Sequence, residues 1–294
     1  ETRLDRGDIV NSPATTLDRI LTDVPGVTLF RRASSLAAHP TTQGVTLRGI
    51  GPNGAGRALV TLDGVPLNDP FGGWVYWSAI DPARIGAVEI RRGGGAGAMG
   101  NQALTGHIRL ESRMPEEFDL WGEARGGNFG SVDLSAGVGD RIGAASFSVS
   151  GRYFDSDGFI LRPEDQRGPV DVPAALETAS IDARGEWRVN DSTTLRGRIG
   201  WFSEDSVNGL ALSTNETDAL DLSLGLVIDG GRAGPSVEVV GWYRDRDFAN
   251  SFAAVFDVAR TFERKVLDQV DVPAEGLGGH AILRFPVASD GVLE

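Results

Sequence analysis

The chain has 294 residues, 40 of them glycine, no cysteine and a formal net charge of −13. Without cysteine there can be no disulfide framework, thiolate metal site or cysteine nucleophile. We expect no metal site and no cofactor, because His39, His107 and His280 are the only histidines and lack the spacing of metal ligands. The negative charge argues against a nucleic-acid partner, since phosphate binding needs a basic surface.

The sequence contains no run of about 18 apolar residues, so it predicts no transmembrane helix. No signal peptide follows Glu1. Both observations are compatible with a membrane β-barrel, whose strands hide their hydrophobicity in alternate residues.

Residues 1–115 predict a small domain of helix and strands joined by long irregular loops. Ser12 suits the N-cap and Pro13 the first position of a short helix. Its buried face would consist of Leu17, Ile20, Leu21 and Val24, before Pro25-Gly26 ends it. Four β-like runs follow, at Val45–Leu47, Ala58–Leu62, Ala87–Arg91 and His107–Glu111. Asp63-Gly64 predicts a tight turn.

One loop of this region is rich in aromatic residues. Between Asn68 and Trp77 it carries Phe71, Trp74 and Tyr76 among turn-forming residues. These rings could pack a local core, as buried aromatic residues usually do. They could equally form a loop tip that contacts a ligand. The sequence leaves both interpretations open.

Gly95–Gly100 satisfies the G-x-G-x-x-G pattern of dinucleotide-binding folds. The segment after it runs into the β-like Ile108-Arg109-Leu110, whereas a dinucleotide site needs a helix there. We therefore interpret these glycines as positions where backbones pack closely.

Five segments resemble, in order and spacing, the plug of TonB-dependent receptors. They are Val24–Val27, Val45–Gly51, Leu62–Asn68, Ile85–Gly93 and Met99–Ile108. The resemblance covers residues 12–114. It implies an α+β plug domain at 1–115, followed at 116–294 by the antiparallel strands of an outer-membrane β-barrel.

The resemblance also implies a function. Such receptors lie in the bacterial outer membrane, contact its lipid and take up a scarce nutrient with energy supplied by TonB. The family's TonB-binding segment precedes the plug, so we expect it at or upstream of Glu1, removed or cut short here.

The resemblance assigns roles to residues of this chain. Two loops at the plug apex would contact a small-molecule or metal-chelate substrate through Arg31, Arg32, Ser34, Ser35, Asn68, Asp69, Phe71, Trp74, Tyr76 and Trp77. Arg48 and Arg92 resemble arginines that hold plug to barrel through glutamates, a task that suits the fork of a guanidinium. Asp63, Gly64, Gly93, Gly100 and Gly106 are expected to be structural turn residues.

Residues 117–294 show the period-two alternation of barrel strands. Ala179, Ile181 and Ala183 alternate with Ser180 and Asp182, for example. Eight such segments occur, in 120–126, 132–138, 145–153, 179–189, 195–201, 220–228, 237–243 and 279–285. One face suits lipid and the other a wet lumen or a plug. A soluble β-sandwich, whose strands also alternate, is the alternative.

The connections alternate between long and short, as in outer-membrane barrels. We expect the segments 155–178, 203–217 and 245–277 to be outward loops, and Trp187, Trp201 and Tyr243 to lie in aromatic girdles. A plugged transporter has about 22 strands, on the order of 480 barrel residues and roughly 300 more than are present here. We therefore expect the chain to be a fragment or a truncated product with about eight strands.

Other functions remain possible on the sequence alone. A passive channel or an adhesin barrel with an N-terminal domain would show the same strands without coupling to TonB. An enzyme such as a secreted glycosidase is disfavoured, because acidic loops explain pairs such as Asp155 and Asp157. Iron-siderophore complexes are the commonest cargo of the family, with cobalamin and oligosaccharides behind them, and no residue discriminates among these.

Overall fold

The computed structural model describes residues 1–51, 54–94, 102–231, 234–287 and 291–293. It contains a five-stranded sheet in the N-terminal third, a two-stranded ribbon beside it and a ten-stranded sheet formed by the rest of the chain. No helix of the described residues is long and apolar enough to cross a membrane.

The N-terminal unit combines two short helices with seven strands. The helices are α1 (Arg6–Val10) and α2 (Leu17–Thr22), and the strands are β1 (Thr2–Leu4), β2 (Val27–Leu29), β3 (Val45–Leu47), β4 (Ala58–Leu62), β5 (Val65–Pro66), β6 (Ile85–Arg92) and β7 (Gly106–Ser112). The sheet order is β1-β6-β7-β4-β5, with β4 and β7 parallel and the other pairs antiparallel. β2 pairs with β3.

The predicted helix exists but begins later than expected. Thr16, in an extended conformation, is the N-cap of α2. The Ser12 hydroxyl instead accepts a hydrogen bond from the Ala14 amide, which forms a local turn. The prediction of Ser12 as the N-cap was therefore wrong, because that turn competes with the helix for the backbone.

Apolar residues from the helices and the sheet form one core. Trp77, Leu17, Leu21, Leu47, Leu62, Ile85, Ile90, Ile108 and Leu110 are fully buried in it. Burial of such side chains contributes about 1.5–3 kcal/mol each, which is the main stabilisation available to a unit with so little regular structure.

The ten-stranded sheet, called the wall below, is antiparallel throughout. Its strands are β8 (Asp119–Gly126), β9 (Val132–Ile142), β10 (Ala145–Phe159), β11 (Ala174–Arg188), β12 (Thr193–Val207), β13 (Thr214–Ile228), β14 (Ser236–Val255), β15 (Glu263–Gln269), β16 (Ala274–Val287) and β17 (Gly291–Leu293). Each pairs with its neighbour in sequence, except that β14 is long enough to pair with β15 along one half and β16 along the other. The strand order is an open path from β8 to β17.

The wall contains the eight predicted strands, but the predicted loops are shorter than expected because the strands extend into them. β14 continues to Val255 and β15 lies wholly inside the expected loop 245–277. β10, β11, β12 and β13 likewise extend into segments expected to be loops. Polar residues such as Glu177, Asp205 and Glu216 occupy the outward face of these extensions, so the apolar face that marks a barrel strand is lost there, although the backbone ladder continues.

The two faces of the wall differ in chemistry. Asp182, Arg184 and Arg198 are buried on the face toward the N-terminal unit, whereas Ile181 and Ile199 are exposed on the other. Within the described part of the chain no second sheet covers this exposed apolar face. The wall is therefore an incomplete barrel around the N-terminal unit, and the β-sandwich alternative was wrong.

Candidate functional site

Two polar side chains shape the aromatic loop. The Asn68 side chain accepts a hydrogen bond from the Val60 amide at 2.8 Å and donates to the carbonyls of Ala58 and Gly73 at 3.2 and 3.0 Å. The Asp69 carboxylate accepts from the amides of Phe71 and Gly72. Burial raises the pKa of Asp69. Asn68 and Asp69 thus hold the loop from within.

The aromatic rings of this loop occupy different depths. Phe71 is 56% exposed, whereas Trp74 and Tyr76 are 4% and 5% exposed and pack against the wall. Their ring centroids lie 5.4 Å from Phe248 and 5.6 Å from Phe202, respectively. Burial raises the pKa of Tyr76. The loop therefore has a packed base and an open tip.

Trp77 belongs to the core of the N-terminal unit. It is 0% exposed and donates its indole N–H to the Gln43 carbonyl at 3.0 Å. In this arrangement its ring is out of reach of any ligand.

The second predicted loop, from Phe30 to His39, is organised around a buried carboxylate. Asp18 accepts hydrogen bonds from Arg31 and from the Ser35 hydroxyl, both at 2.8 Å. The Ser34 hydroxyl accepts from the Leu36 amide. Burial lowers the pKa of Arg31. Arg32 is exposed, so among these residues it has the most open guanidinium.

Both loops meet at one surface, which we call the apical surface (Phe30–His39 with Asn68–Tyr76). Gln43 joins them, because its side chain accepts from Arg31 at 3.3 Å while its carbonyl accepts from Trp77. Both loops also contact the same half of β14. The His39 ring stacks on Phe252 with centroids 4.3 Å apart, and Trp74 packs on Phe248. Sequence reasoning gave His39 no role.

Long loops connect the wall strands at the end that lies beside the apical surface. We call this end of the wall the loop rim. Two of them, at 160–173 and 256–262, are tied together, because Asp171 accepts two hydrogen bonds from Arg260, at 2.6 and 2.5 Å. These hydrogen bonds lower the pKa of Asp171 to about 2.

The two arginines expected to hold plug to barrel, Arg48 and Arg92, differ in exposure and in contacts. Arg48 is exposed, with a left-handed φ of 65°. Arg92 donates to the Pro25 carbonyl and to the Thr2 hydroxyl, within the N-terminal unit. Neither forms an ion pair within the described residues, so their predicted role stays a prediction.

Other residues join the N-terminal unit to the wall in a contact surface that we call the seam. Arg84 pairs with Asp182 and Arg184 with Asp63, each at 3.1 Å. Arg244 donates to the backbone carbonyls of Asn68 and Leu67, at 2.6 and 3.3 Å. The Ser78 hydroxyl donates to Glu204 at 2.5 Å. Charged residues at alternate wall positions were the only sequence signal for these contacts.

The expected turn residues mostly occupy unusual backbone conformations. Asp63 and Gly64 have φ of 50° and 86°. Gly93 and Gly106 also have positive φ, and a Cβ at Gly106 would lie 2.3 Å from the Arg91 carbonyl oxygen. Gly100 and the rest of the G-x-G-x-x-G pattern lie outside the described residues. Asp63 does more than turn the chain, since it also accepts hydrogen bonds from Ser112.

In the part of the chain that the structure describes, no group of three or more histidine or acidic side chains is arranged to hold a metal ion. The candidate site is the apical surface, which carries aromatic and cationic side chains and lies above the seam.

Comparison with known proteins identifies the N-terminal unit. Residues 1–107 match the family described as the TonB-dependent receptor plug domain. The N-terminal unit is a TonB-dependent receptor plug domain. The wall is the incomplete barrel against which this plug lies.

Relatives and solved structures agree with this assignment. Hemin receptors of Yersinia enterocolitica and Yersinia pestis are each 26% identical to the chain, over 215 and 200 residues. These alignments cover 71% and 66% of this chain but only 30% and 28% of the relatives. The chain thus spans about a third of the length of those receptors.

Three solved receptors share the fold. A double mutant of the ferric enterobactin receptor PfeA of Pseudomonas aeruginosa superposes with a TM-score of 0.71 at 17% identity, covering 98% of this chain and 46% of that one. The siderophore receptor PirA of Acinetobacter baumannii gives 0.67 at 16%, covering 97% and 44%. The ferric citrate transporter FecA gives 0.66 at 16%, covering 85% and 40%.

Proposed function

We propose that this chain is the plug and adjoining barrel wall of an outer-membrane receptor that takes up an iron chelate with energy supplied through TonB. The observation that carries the proposal is the seating of a TonB-dependent receptor plug against the charged face of an incomplete barrel. A plug held largely by polar contacts can be displaced more readily than one packed through a continuous apolar interface, because water can replace the lost hydrogen bonds.

In this proposal the exposed apolar face of the wall contacts outer-membrane lipid, and the apical surface faces the outside. The plug covers 1–115 and the barrel begins at 116, between β7 and β8. TonB would bind a segment at or upstream of Glu1, so that its pull reaches β1 first.

The apical surface supplies the proposed ligand contacts. Phe71 offers an open ring and Arg32 an open guanidinium, which suit a chelate with aromatic groups and negative charge. Trp74 and Tyr76 support the loop from below. Siderophores are the favoured cargo, because receptors for them share the fold. Hemin is a second candidate, because the two curated relatives are hemin receptors.

Uptake of ⁵⁵Fe-labelled chelates by cells that make the receptor carrying this chain tests the proposal. We expect uptake in a strain with TonB and none in an isogenic strain without it. Uptake that persists without TonB would show a passive channel instead.

Binding to a panel of ferric siderophores and hemin tests the apical surface separately. We expect Phe71→Ala and Arg32→Ala to weaken binding about tenfold or more. Phe118→Ala is the matched control, because Phe118 is an exposed phenylalanine at the opposite rim. Unchanged affinity in both apical variants would contradict the assigned contacts.

A further inference from the structure

A small cavity lies within the seam, between the plug segment that ends at Arg84 and strands β12–β14 of the wall. Its volume is about 30 Å³, enough for one or two particles the size of water. The charged residues that line it are Arg84 of the plug and Arg198, Asp221, Arg244 and Arg246 of the wall. Among these charged residues four are cationic and one is anionic.

The carboxylates bonded to these arginines are too few to balance them. Asp221 accepts hydrogen bonds from Arg244 at 2.9 Å and from Arg246 at 2.8 Å. Asp182 pairs with Arg84 at 3.1 Å and with Arg198 at 2.7 Å. Four guanidinium groups thus share two carboxylates.

Two buried donors around the cavity lack an acceptor. The Nε atoms of Arg84 and Arg246 have no hydrogen-bond partner within the described part of the chain. The side chains are only 10% and 4% exposed. The other nitrogens of Arg84 contact Asp182 and the Ala79 carbonyl. Those of Arg246 contact Asp221 and the carbonyls of Leu220 and Asp245. Buried donors and charges without partners are costly to the folded state.

The nearest other plug carboxylates are turned toward their own loops. Asp69 accepts from the amides of Phe71 and Gly72. Asp81 accepts from the Ala83 amide through one oxygen, and its other oxygen is buried without a hydrogen-bond partner in the described residues. The charges of Asp69 and Asp81 offset part of the cationic charge of the arginines, but neither residue lines the cavity, so neither supplies an acceptor there.

We propose that the cavity binds one small monovalent anion of the size of chloride, held by the guanidinium groups of Arg84 and Arg246. Such an anion supplies the missing acceptor and the missing negative charge together, which a water molecule cannot do. The proposal is independent of the cargo that the receptor takes up.

Anomalous diffraction from crystals of the receptor grown in sodium bromide tests it directly. We expect a bromide peak in the cavity, within hydrogen-bonding distance of Arg84 and Arg246. Density for water alone, without anomalous signal, would overturn the proposal.

Thermal unfolding of the detergent-solubilised protein gives a second test. At equal ionic strength, chloride should raise the Tm above that in gluconate, a bulky anion, and the effect should saturate. Arg246→Gln should raise the half-saturating chloride concentration about tenfold or more, while the exposed control Arg188→Gln should not change it. Equal Tm values in both salts would count against an anion site. If Arg246→Gln fails to fold, the bromide experiment on the natural sequence still tests whether the cavity binds an anion.

Discussion

At the scale of single residues, Asp63 combines two tasks. Its backbone adopts the left-handed conformation that a tight turn requires, and its carboxylate binds Ser112 of the plug and Arg184 of the wall. Sequence reasoning recognised the turn from the Asp-Gly pair. It could not recognise the ion pair, because Arg184 is 121 positions away and only the register of the wall brings it near.

Asp63→Asn separates these tasks, because asparagine also tolerates the left-handed conformation. We expect the turn to persist while the charge-assisted contact to buried Arg184 is lost. The free energy of unfolding, measured with urea in detergent, should fall by about 1–3 kcal/mol. The exposed Glu117→Gln is the control, and an equal effect of both variants would show that Asp63 acts only as a turn residue.

His39 gives the plug a pH dependence. Burial lowers its pKa to about 4, against about 6.5 in an unfolded chain. The folded state therefore binds fewer protons at His39 between these values. The contribution of His39 to stability is constant above about pH 6.5 and decreases as the pH falls toward 4. Between about pH 7.5 and 5 the natural protein should lose about 1–2 kcal/mol more than His39→Gln. Parallel pH profiles of the free energy of unfolding would contradict this.

The aromatic loop shows how much of the candidate site can be predicted from the sequence. The aromatic loop was recognisable from its composition, but which rings it exposes was not. Phe71 and Trp77 are both aromatic residues of this segment, yet Phe71 is exposed and Trp77 is fully buried. Trp77 belongs to the core of the plug, and that membership depends on packing between residues distant in sequence.

At the scale of elements, prediction succeeded where one face of a strand contacts an apolar environment. β11 and β13 were recognised from their alternation. β1 and α1 were missed, since elements of three and five residues are too short to show a hydrophobic period. β15 was missed because its residues are polar on both faces.

The outward ends of the wall strands bring like charges together. Asp218 of β13 and Asp247 of β14 are directly opposite, and both are exposed. Directly opposed like charges destabilise an antiparallel pair. Asp247→Asn should therefore raise the free energy of unfolding at low salt, by about 0.2–1 kcal/mol.

High salt should reduce this gain by screening the repulsion. Asp191→Asn, in an exposed turn, is the control. No gain at low salt, or a gain that high salt leaves unchanged, would argue against charge repulsion as the cause.

At the scale of the whole molecule, the proposed uptake requires the plug to move relative to the wall. Polar contacts of the seam hold it, from Ser78 and Glu204 near the loop rim to Asp63 and Arg184 deeper in the wall. The rings of Trp74 and Tyr76 add apolar packing against the wall. The plug was predicted from its resemblance to TonB-dependent receptors, and the wall from the alternation of its strands. Their mutual contacts required the structure, because no local pattern encodes them.

A reversible cross-link tests this movement most directly. A Cβ atom at Gly276 of β16 would lie 3.6 Å from the Cβ of Pro70 in the aromatic loop, which suits a disulfide. The chain has no native cysteine, so Pro70→Cys with Gly276→Cys would introduce one pair of cysteines within it, with each single variant as a control.

We predict that the oxidised double variant binds the iron chelate but does not transport ⁵⁵Fe, and that reduction restores transport. Full transport with the disulfide demonstrably closed would contradict movement of the plug against the wall.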